Sequence, residues 1–424
     1  MDDQEGKHLQ ITLSSKDDRY SVGDSPFSIP SKVTCSELNT LVNELISAGN
    51  EDHSPIEFDF LLVDELLRSS LEESLTERGL SSEATLDIVY FPKHPAPESE
   101  GQIVLNDWIS SVDCFGSYIL SGSYNNQAYI WNRGSGQCLG SVEHLSSVKS
   151  VAWIRHSSSE NPLFITGAAD EALSMWQFFP EDGVCRCLHT YSGHGRSVDC
   201  LAMDNVGSRF CSGSWDRTVR VWSAVPDQLA DTAHVANGGA KRKKTSSASD
   251  AQSDAVDKQA LVTLTGHSEA VSSLAWLDSA SIASASWDHC IKLWDLESAS
   301  LTATLAGNNV FNSISYSTAS RLIVSGNSDR SVRLWDPRSD TALVQKMLRF
   351  HTGWVSCVQW SPDNEHQLVS GSFDKTVCQW DIRSPKAPLY SMTGHTDKVM
   401  CVSWSERDLV VSGGADAQLR LYKT

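Results

Sequence analysis

One stretch recurs along most of this 424-residue chain. It reads Cys211-Ser-Gly-Ser-Trp-Asp-Arg-Thr-Val-Arg-Val-Trp222, and it returns as Ser284-Ala-Ser-Trp-Asp-His-Cys-Ile-Lys-Leu-Trp294. It returns again as Ser325-Gly-Asn-Ser-Asp-Arg-Ser-Val-Arg-Leu-Trp335 and as Ser370-Gly-Ser-Phe-Asp-Lys-Thr-Val-Cys-Gln-Trp380. Weaker copies close at Trp131, Trp176 and Tyr422. Successive closing aromatics lie 41 to 46 residues apart, except for one gap of 72. Each copy is a supersecondary unit that buries its faces only against its neighbours, so the copies must stack.

The copies share an internal logic. Small residues before the acid allow close packing. An Asp sits six residues before the closing aromatic in six copies, at Asp170, Asp216, Asp288, Asp329, Asp374 and Asp416, and Asn125 stands there in the first. Apolar and polar residues then alternate, as in Val219-Arg-Val-Trp222, the period of a half-buried strand. Four short strands per copy and a period near 40–45 residues predict a β-propeller, here of seven blades.

About 320 residues belong to the repeats. The formal net charge of −19 argues against broad attraction to phosphate backbones, which needs clustered Lys and Arg, and no sequence-specific nucleic-acid binding is expected. The 11 cysteines are scattered without a repeated CxxC. Several fall within strand patterns, as expected of buried reduced thiols. The first residues are acidic and no long apolar run follows, so neither a secretory signal nor a membrane span is expected, and the compartment reads as cytosol or nucleus.

Residues 8–92 depart from the repeat. His8-Leu-Gln-Ile-Thr-Leu13 alternates like a strand, and Tyr20 to Ile29 reads as its hairpin partner. Leu38, Leu41, Val42 and Leu45 have helical spacing, with Thr34 or Ser36 as N-cap and Gly49 as stop. Glu57 to Leu62, Ser70 to Gly79 and Ala84 to Tyr90 read as strand, short helix and strand. That order is the order of a ubiquitin-like β-grasp (α+β) domain. Residues 93–100, with Pro95 and Pro97, read as a linker. Residues 101–107 are predicted to complete the last blade of a propeller spanning 101–424. The long gap holds an insertion at about 226–258 that is too polar to fold alone. Its basic run Lys241, Arg242, Lys243 and Lys244 reads as either a solvated loop or a nuclear localisation signal.

His, Ser and Asp recur together, with His194, His267, His351 and His395 each 21 to 23 residues before its Asp. A hydrolase triad uses the same types, but a set repeated in blade after blade is architectural: the imidazole links the acid to a strand hydroxyl. No phosphate loop and no HExxH zinc motif is present, so the chain reads as a non-enzyme without a cofactor. Aromatics before the turn acid, Tyr124, Trp215, Trp287 and Phe373, form a different kind of set. A second set, Trp108, Phe311 and Trp354, precedes the first core aliphatic of a blade. Both positions are expected on one face of the ring, as a protein-binding patch or as turn packing. Trp335-Asp-Pro-Arg338 and Trp380-Asp-Ile-Arg383 match a short pattern found in propellers that dock to cullin-type ubiquitin ligase adaptors, and equally fit a turn braced by its own arginine.

The combined pattern resembles one family: the WD-repeat subunits of the PeBoW ribosome-biogenesis complex. The resemblance is carried by Phe27-Ser-Ile-Pro30, Glu57-Phe-Asp-Phe60, Asp107-Trp-Ile-Ser-Ser111, Phe210-Cys-Ser-Gly-Ser-Trp-Asp216, Ser284-Ala-Ser-Trp-Asp-His289 and His351-Thr-Gly-Trp-Val355. It implies a mostly β chain, a ubiquitin-like (NLE) domain followed by a seven-bladed WD40 propeller. It further implies a nucleolar and nucleoplasmic scaffold for large (60S) subunit maturation and pre-rRNA processing. The propeller would bind the block-of-proliferation subunit, which joins pescadillo on pre-60S particles. The ubiquitin-like domain would engage midasin, an AAA ATPase. Family members offer one acidic side chain to the Mg²⁺ of midasin's adhesion site. The matching motif is Leu80-Ser-Ser-Glu83, so Glu83 carries that role and the chain holds no metal alone. The alternative is a substrate receptor of a cullin-type ubiquitin ligase.

Overall fold

The alternation of His8-Leu-Gln-Ile-Thr-Leu13 becomes strand β1 (His8–Ser15), whose apolar residues Leu9, Ile11 and Leu13 are all buried. It is an interior strand of a five-stranded sheet with β2 (Phe27–Pro30), β3 (Phe58–Leu62), β4 (Glu65–Leu66) and β5 (Leu86–Pro92), in the order β2-β1-β5-β3-β4. β1 and β5 run parallel, and the other neighbours are antiparallel. Helix α1 (Cys35–Gly49) packs Leu38, Val42 and Ile46 into the core formed with this sheet. Thr34 precedes its first turn, and Glu37 accepts both the Thr34 N–H at 2.8 Å and its hydroxyl at 3.0 Å, the reciprocal half of a capping box. Helix α2 (Leu71–Arg78) starts at Ser70 and ends at Gly79, whose φ of 63° suits glycine. This is the β-grasp arrangement.

The hairpin partner predicted over Tyr20 to Ile29 is shorter. Only Phe27–Pro30 pairs with β1, and Asp18–Tyr20 forms a 3₁₀ turn. The Tyr20 carbonyl accepts the Tyr90 hydroxyl and the Tyr20 ring meets Phe58 edge-on at 5.5 Å. These residues cover the core instead of extending the ladder.

The computed structural model describes every residue except 1–7, 16, 24, 50–53, 64, 80–84, 156–159, 227–254 and 340–343. Two compact units result, Met1–Ala96 and Pro97–Thr424. The second contains seven further sheets, each built on four antiparallel strands, with a fifth, parallel strand added to the second sheet. Blade 1 opens with Ile109–Phe115, blade 2 with Val148–Ile154, blade 3 with Val198–Met203 and blade 4 with Val271–Trp276. Blades 5, 6 and 7 open with Phe311–Tyr316, Val355–Trp360 and Val399–Glu406. These first strands are the innermost, and each would leave an unpaired edge. Side chains of adjoining blades cover those edges. The Ser110, Ser272 and Ser356 hydroxyls donate to the carbonyls of Val148, Phe311 and Val399, each at 2.6 Å, and the Asn312 amide donates to Val355 at 2.9 Å. In return, Asp113 accepts the Trp153 N–H at 2.9 Å and Gln359 accepts that of Trp404 at 2.8 Å.

Two features explain the small residues and the acid of the repeat. A Cβ on Gly213 would lie 2.6 Å from both the Cys200 sulfur and a Val271 methyl of the next blade, so only glycine permits that approach. The residue after the turn acid has positive φ in all seven blades, from 57° to 72°, at Asn126, Glu171, Arg217, His289, Arg330, Lys375 and Ala417. None is glycine, so the left-handed conformation is sterically costly. The preceding side-chain oxygen offsets that cost by accepting the N–H two residues on, as the Asp216 carboxylate does from Thr218 at 2.9 Å and the Asn125 amide does from Gln127 at 3.2 Å.

The ring closes between chain ends. β6 (Glu98–Val104) pairs antiparallel with the last strand, Gln418–Lys423, from Val104↔Gln418 to Glu98↔Lys423. It begins at Glu98, three residues before the predicted start and inside the segment assigned to the linker, because Tyr422 and Lys423 still have edges to pair. The insertion also ends earlier than position 258. Val256–Lys258 forms a short strand parallel to the outer strand of blade 2, His189↔Val256 through Tyr191↔Lys258. Lys241, Arg242, Lys243 and Lys244 lie outside the described residues.

Candidate partner-binding face

The His-Ser-Asp sets are interior. His194 Nδ1 lies 2.7 Å from Asp216 and its Nε2 lies 2.7 Å from Ser212 Oγ, which also accepts the Trp222 indole N–H at 2.8 Å. The same bonds join His267, Asp288, Ser284 and Trp294, and His351, Asp374, Ser370 and Trp380. His395, Asp416 and Ser412 repeat the first part. The serines are fully buried, whereas a nucleophile must meet its substrate. Each set joins the strained turn to the strand beneath it, satisfying polar groups withdrawn from water. The Asp216 and Asp374 carboxyls are held well below the usual range. Burial acts to raise them, but hydrogen bonds from His194 and Thr218, and from His351 and Thr376, outweigh it.

The turns held by these sets project the aromatics. Trp108, Trp215, Trp287 and Trp354 are exposed by 47%, 39%, 44% and 54%, and Tyr124 and Phe373 are half-buried. The structure gathers them into pairs. Trp108 meets Tyr124 edge-on at 5.7 Å, Trp354 stacks on Phe373 at 5.8 Å, and Trp215 meets Trp287 at 5.2 Å across blades 3 and 4. The backbone repeats this pairing, since the Tyr124 N–H donates to the Trp108 carbonyl and the Phe373 N–H to the Trp354 carbonyl.

Phe311 does not belong to this face, and that expectation is corrected. It is fully buried, 5.7 Å from Trp335. It is itself the first inner-strand residue of blade 5, and Val310 is the counterpart of Trp108, its carbonyl accepting the Ser328 N–H. Four residues before the inner strand, where blades 3, 4, 6 and 7 carry histidine, blade 5 has Gly307. A Cβ there would lie 2.6 Å from the Phe311 ring. The phenyl ring occupies the space an imidazole fills elsewhere.

Three residues not singled out in the sequence complete the face. Lys149 Nζ lies 3.8 Å from the Tyr124 ring centroid, and Lys398 Nζ lies 5.0 Å from that of Phe373, both cation–π contacts. Asp199 accepts the Trp215 indole N–H and, at 2.6 Å, the Ser197 hydroxyl. Lys149 and Asp199 immediately follow the first inner-strand residue of their blades, Val148 and Val198, whereas Lys398 immediately precedes Val399, places that the repeat register identifies. Glu83 falls between α2 and β5, outside the described residues. Arg338 and Arg383 fold back onto the carboxylates of their own turns, with Arg338 Nε 2.9 Å from Asp336 and Arg383 Nη2 2.6 Å from Asp381. Among the described residues, no group of three or more His, Cys, Asp or Glu is placed to hold a metal ion.

A ring of seven WD-type blades, with its polar sets buried and aromatics displayed on its turns, together with a β-grasp unit, defines a WD40-propeller protein. Comparison with known proteins narrows this. Residues 9–75 match the NLE (NUC135) domain, and 100–132, 185–223, 258–295, 299–336, 343–381 and 386–423 match the WD domain, G-beta repeat. Much of blade 2 falls in the unmatched interval, so that blade is established by its sheet and its turn. The chain is 40% identical over 418 residues to the ribosome biogenesis protein WDR12 homolog of Nematostella vectensis, covering 98% of this chain and 99% of that one. It is 39% identical over 429 residues to the homolog from Ixodes scapularis, covering 99% of each, and 36% identical over 418 residues to that of Anopheles gambiae, covering 98% and 95%. The chain belongs to the WDR12 family of ribosome biogenesis proteins.

Proposed function

We propose that the chain is a non-enzymatic assembly factor for the large (60S) ribosomal subunit, acting in pre-rRNA processing in the nucleolus and nucleoplasm. The full-length likeness to ribosome biogenesis proteins, spanning both the NLE domain and the propeller, carries this reading. The aromatic face docks the block-of-proliferation propeller protein, and through it pescadillo, on pre-60S particles. Rigidly held Trp and Tyr side chains suit that task because large amphipathic rings dominate interface hot spots. The β-grasp domain engages midasin through Glu83, whose carboxylate is the right donor for a hard Mg²⁺ held by the partner. ATP-driven pulling on that contact then strips the complex from the particle.

Affinity purification of the tagged chain from nuclei tests the reading. Midasin and large-subunit precursors are expected. A cullin adaptor recovered without them would favour the substrate-receptor alternative, which the local engagement of Arg338 and Arg383 already weakens. Glu83→Ala should abolish Mg²⁺-dependent binding to the midasin adhesion domain, and Glu83→Asp should weaken it by shortening the reach. Binding that survives both Glu83→Ala and a chelator would refute the metal bridge. Trp108→Ala and Trp354→Ala should weaken the block-of-proliferation partner, with at least one costing more than about 2 kcal/mol. Unchanged affinity in both, with folding intact, would move the docking site elsewhere.

A further inference from the structure

The three aromatic pairs on this face differ in their charge. In two of them the chain supplies its own cation, Lys149 over Tyr124 and Lys398 over Phe373. The third pair, Trp215 and Trp287, is built the opposite way. At the strand position that Lys149 occupies in blade 2, blade 3 carries a carboxylate, Asp199. Serine or asparagine at this position in blades 1, 4, 5 and 6 is spent on a bond to the next blade. Asp199 is turned to the indole instead, accepting the Trp215 N–H on one oxygen and the Ser197 hydroxyl on the other. Among the described residues, no cation lies over either indole ring and none pairs with Asp199.

We propose that Trp215, Trp287 and Asp199 form a subsite for one arginine side chain of the protein docked on this face. The chemistry selects a cation three times over. Indole has the strongest ring quadrupole for a positive charge. The two rings meet at an interplanar angle of 62°, so they offer surfaces in two orientations. The carboxylate supplies the counter-charge, and its two oxygens each retain acceptor capacity beyond the bond already made. Arginine fits better than lysine, because a planar guanidinium stacks on an indole while donating two parallel N–H bonds to one carboxylate. The Trp215 and Ser197 donors fix the carboxylate before the ligand arrives, which lowers the ordering cost of binding. The inference rests on reading this face as a protein-docking surface, and its test is separable from that reading.

The probe is N-acetylarginine amide, titrated into the full chain and followed by the indole N–H resonances, assigned by single Trp→Phe substitutions. The Trp215 and Trp287 signals should shift saturably while that of Trp354 stays fixed. N-acetylcitrulline amide, the same shape without the charge, should leave all three in place. Asp199→Asn keeps an oxygen for the Trp215 indole but removes the charge, and should weaken the probe at least about tenfold. Trp287→Phe, which leaves the Asp199–Trp215 bond untouched, should weaken it to a smaller degree. Equal shifts with citrulline, no shift with arginine, or an Asp199→Asn variant that binds as well as the parent would overturn the proposal. Loss of the partner in Trp108→Ala with no arginine shift would leave the docking face standing and remove the subsite. An arginine shift with partner affinity unchanged in Trp108→Ala, Trp287→Phe and Trp354→Ala would do the reverse.

Discussion

Ser284→Ala and Ser121→Ala delete the same atom from the same strand position of two blades, yet they should differ in cost. Both serines are fully buried, so the loss of one oxygen's volume is common to both and cancels in the comparison. Their partners do not cancel. Ser121 Oγ accepts one bond, from the Trp131 indole at 2.9 Å. Ser284 Oγ joins two groups, the Trp294 indole and His267 Nε2, each at 2.7 Å. A buried donor left without an acceptor costs about 1–3 kcal/mol. Ser121→Ala should therefore cost about 1–2 kcal/mol and Ser284→Ala about 2–4. The difference, about 1–2 kcal/mol, measures the histidine's share of the blade. All 14 tryptophans of the chain lie at or beyond position 108, within the propeller unit, so intrinsic fluorescence in guanidinium chloride reports that unit without interference from the β-grasp domain. The midpoint should fall further for Ser284→Ala while the slope stays constant. Equal losses within about 0.5 kcal/mol would mean that the imidazole finds another partner or water, and would refute the claim that these sets hold the blades together.

Three further outcomes are expected. A chain beginning at Leu105 exposes the edge of Gln418–Lys423 and removes Ile103 from the core it shares with Leu419 and Leu421. It should melt earlier and self-associate, visible by light scattering. Replacing Lys241, Arg242, Lys243 and Lys244 with alanine should leave the melting temperature unchanged and reduce nuclear accumulation of a fluorescent fusion, and unchanged localisation would remove the signal reading. Because the Asp216 and Asp374 carboxyls are depressed in the fold, the stability they contribute is complete above about pH 4, the unfolded Asp value, and is lost as pH falls toward the folded value. The guanidinium midpoint should drop between pH 5 and pH 3, and drop less in Asp374→Asn.

The blade count was legible because the closing aromatics and turn acids are fixed by a backbone need common to all blades. Even blade 2, where sequence matching to the repeat fails, keeps Asp170 and the positive φ at Glu171. The β-grasp order was legible from periodicity alone. Legibility failed where one residue type serves two environments. Phe311 looks like Trp354 in a linear alignment, but Gly307 vacates the histidine's place and the ring turns inward to fill it. Strand ends failed for a similar reason. Whether Glu98 pairs, or Val256–Lys258 adds to blade 2, is decided by distant edges that need partners. Lys149 and Lys398 escaped notice because their roles appear only once a neighbouring blade brings an aromatic ring alongside, and Asp199 because only the folded hairpin sets the Trp215 indole against it.

The same turn separates stability from recognition by a single residue. The acid of the turn is committed to the histidine and to the N–H two residues on. The residue before it is fixed through its backbone, its N–H bonded to the carbonyl that precedes the inner strand of its own blade, as in Trp215 to Ser197 and Trp287 to Ala270. Its side chain is therefore free to vary while its direction is set. Blades 2, 5 and 7 place Ala169, Ser328 and Ala415 there, and blades 1, 3, 4 and 6 place aromatics. A ring rooted on so constrained a backbone loses little entropy when a partner arrives, since ordering has already been met by the fold. Substituting it removes contact area without disturbing the buried set one residue away. Aromatic anchors on this face should accordingly change affinity far more than stability, and the neighbouring acids should do the opposite.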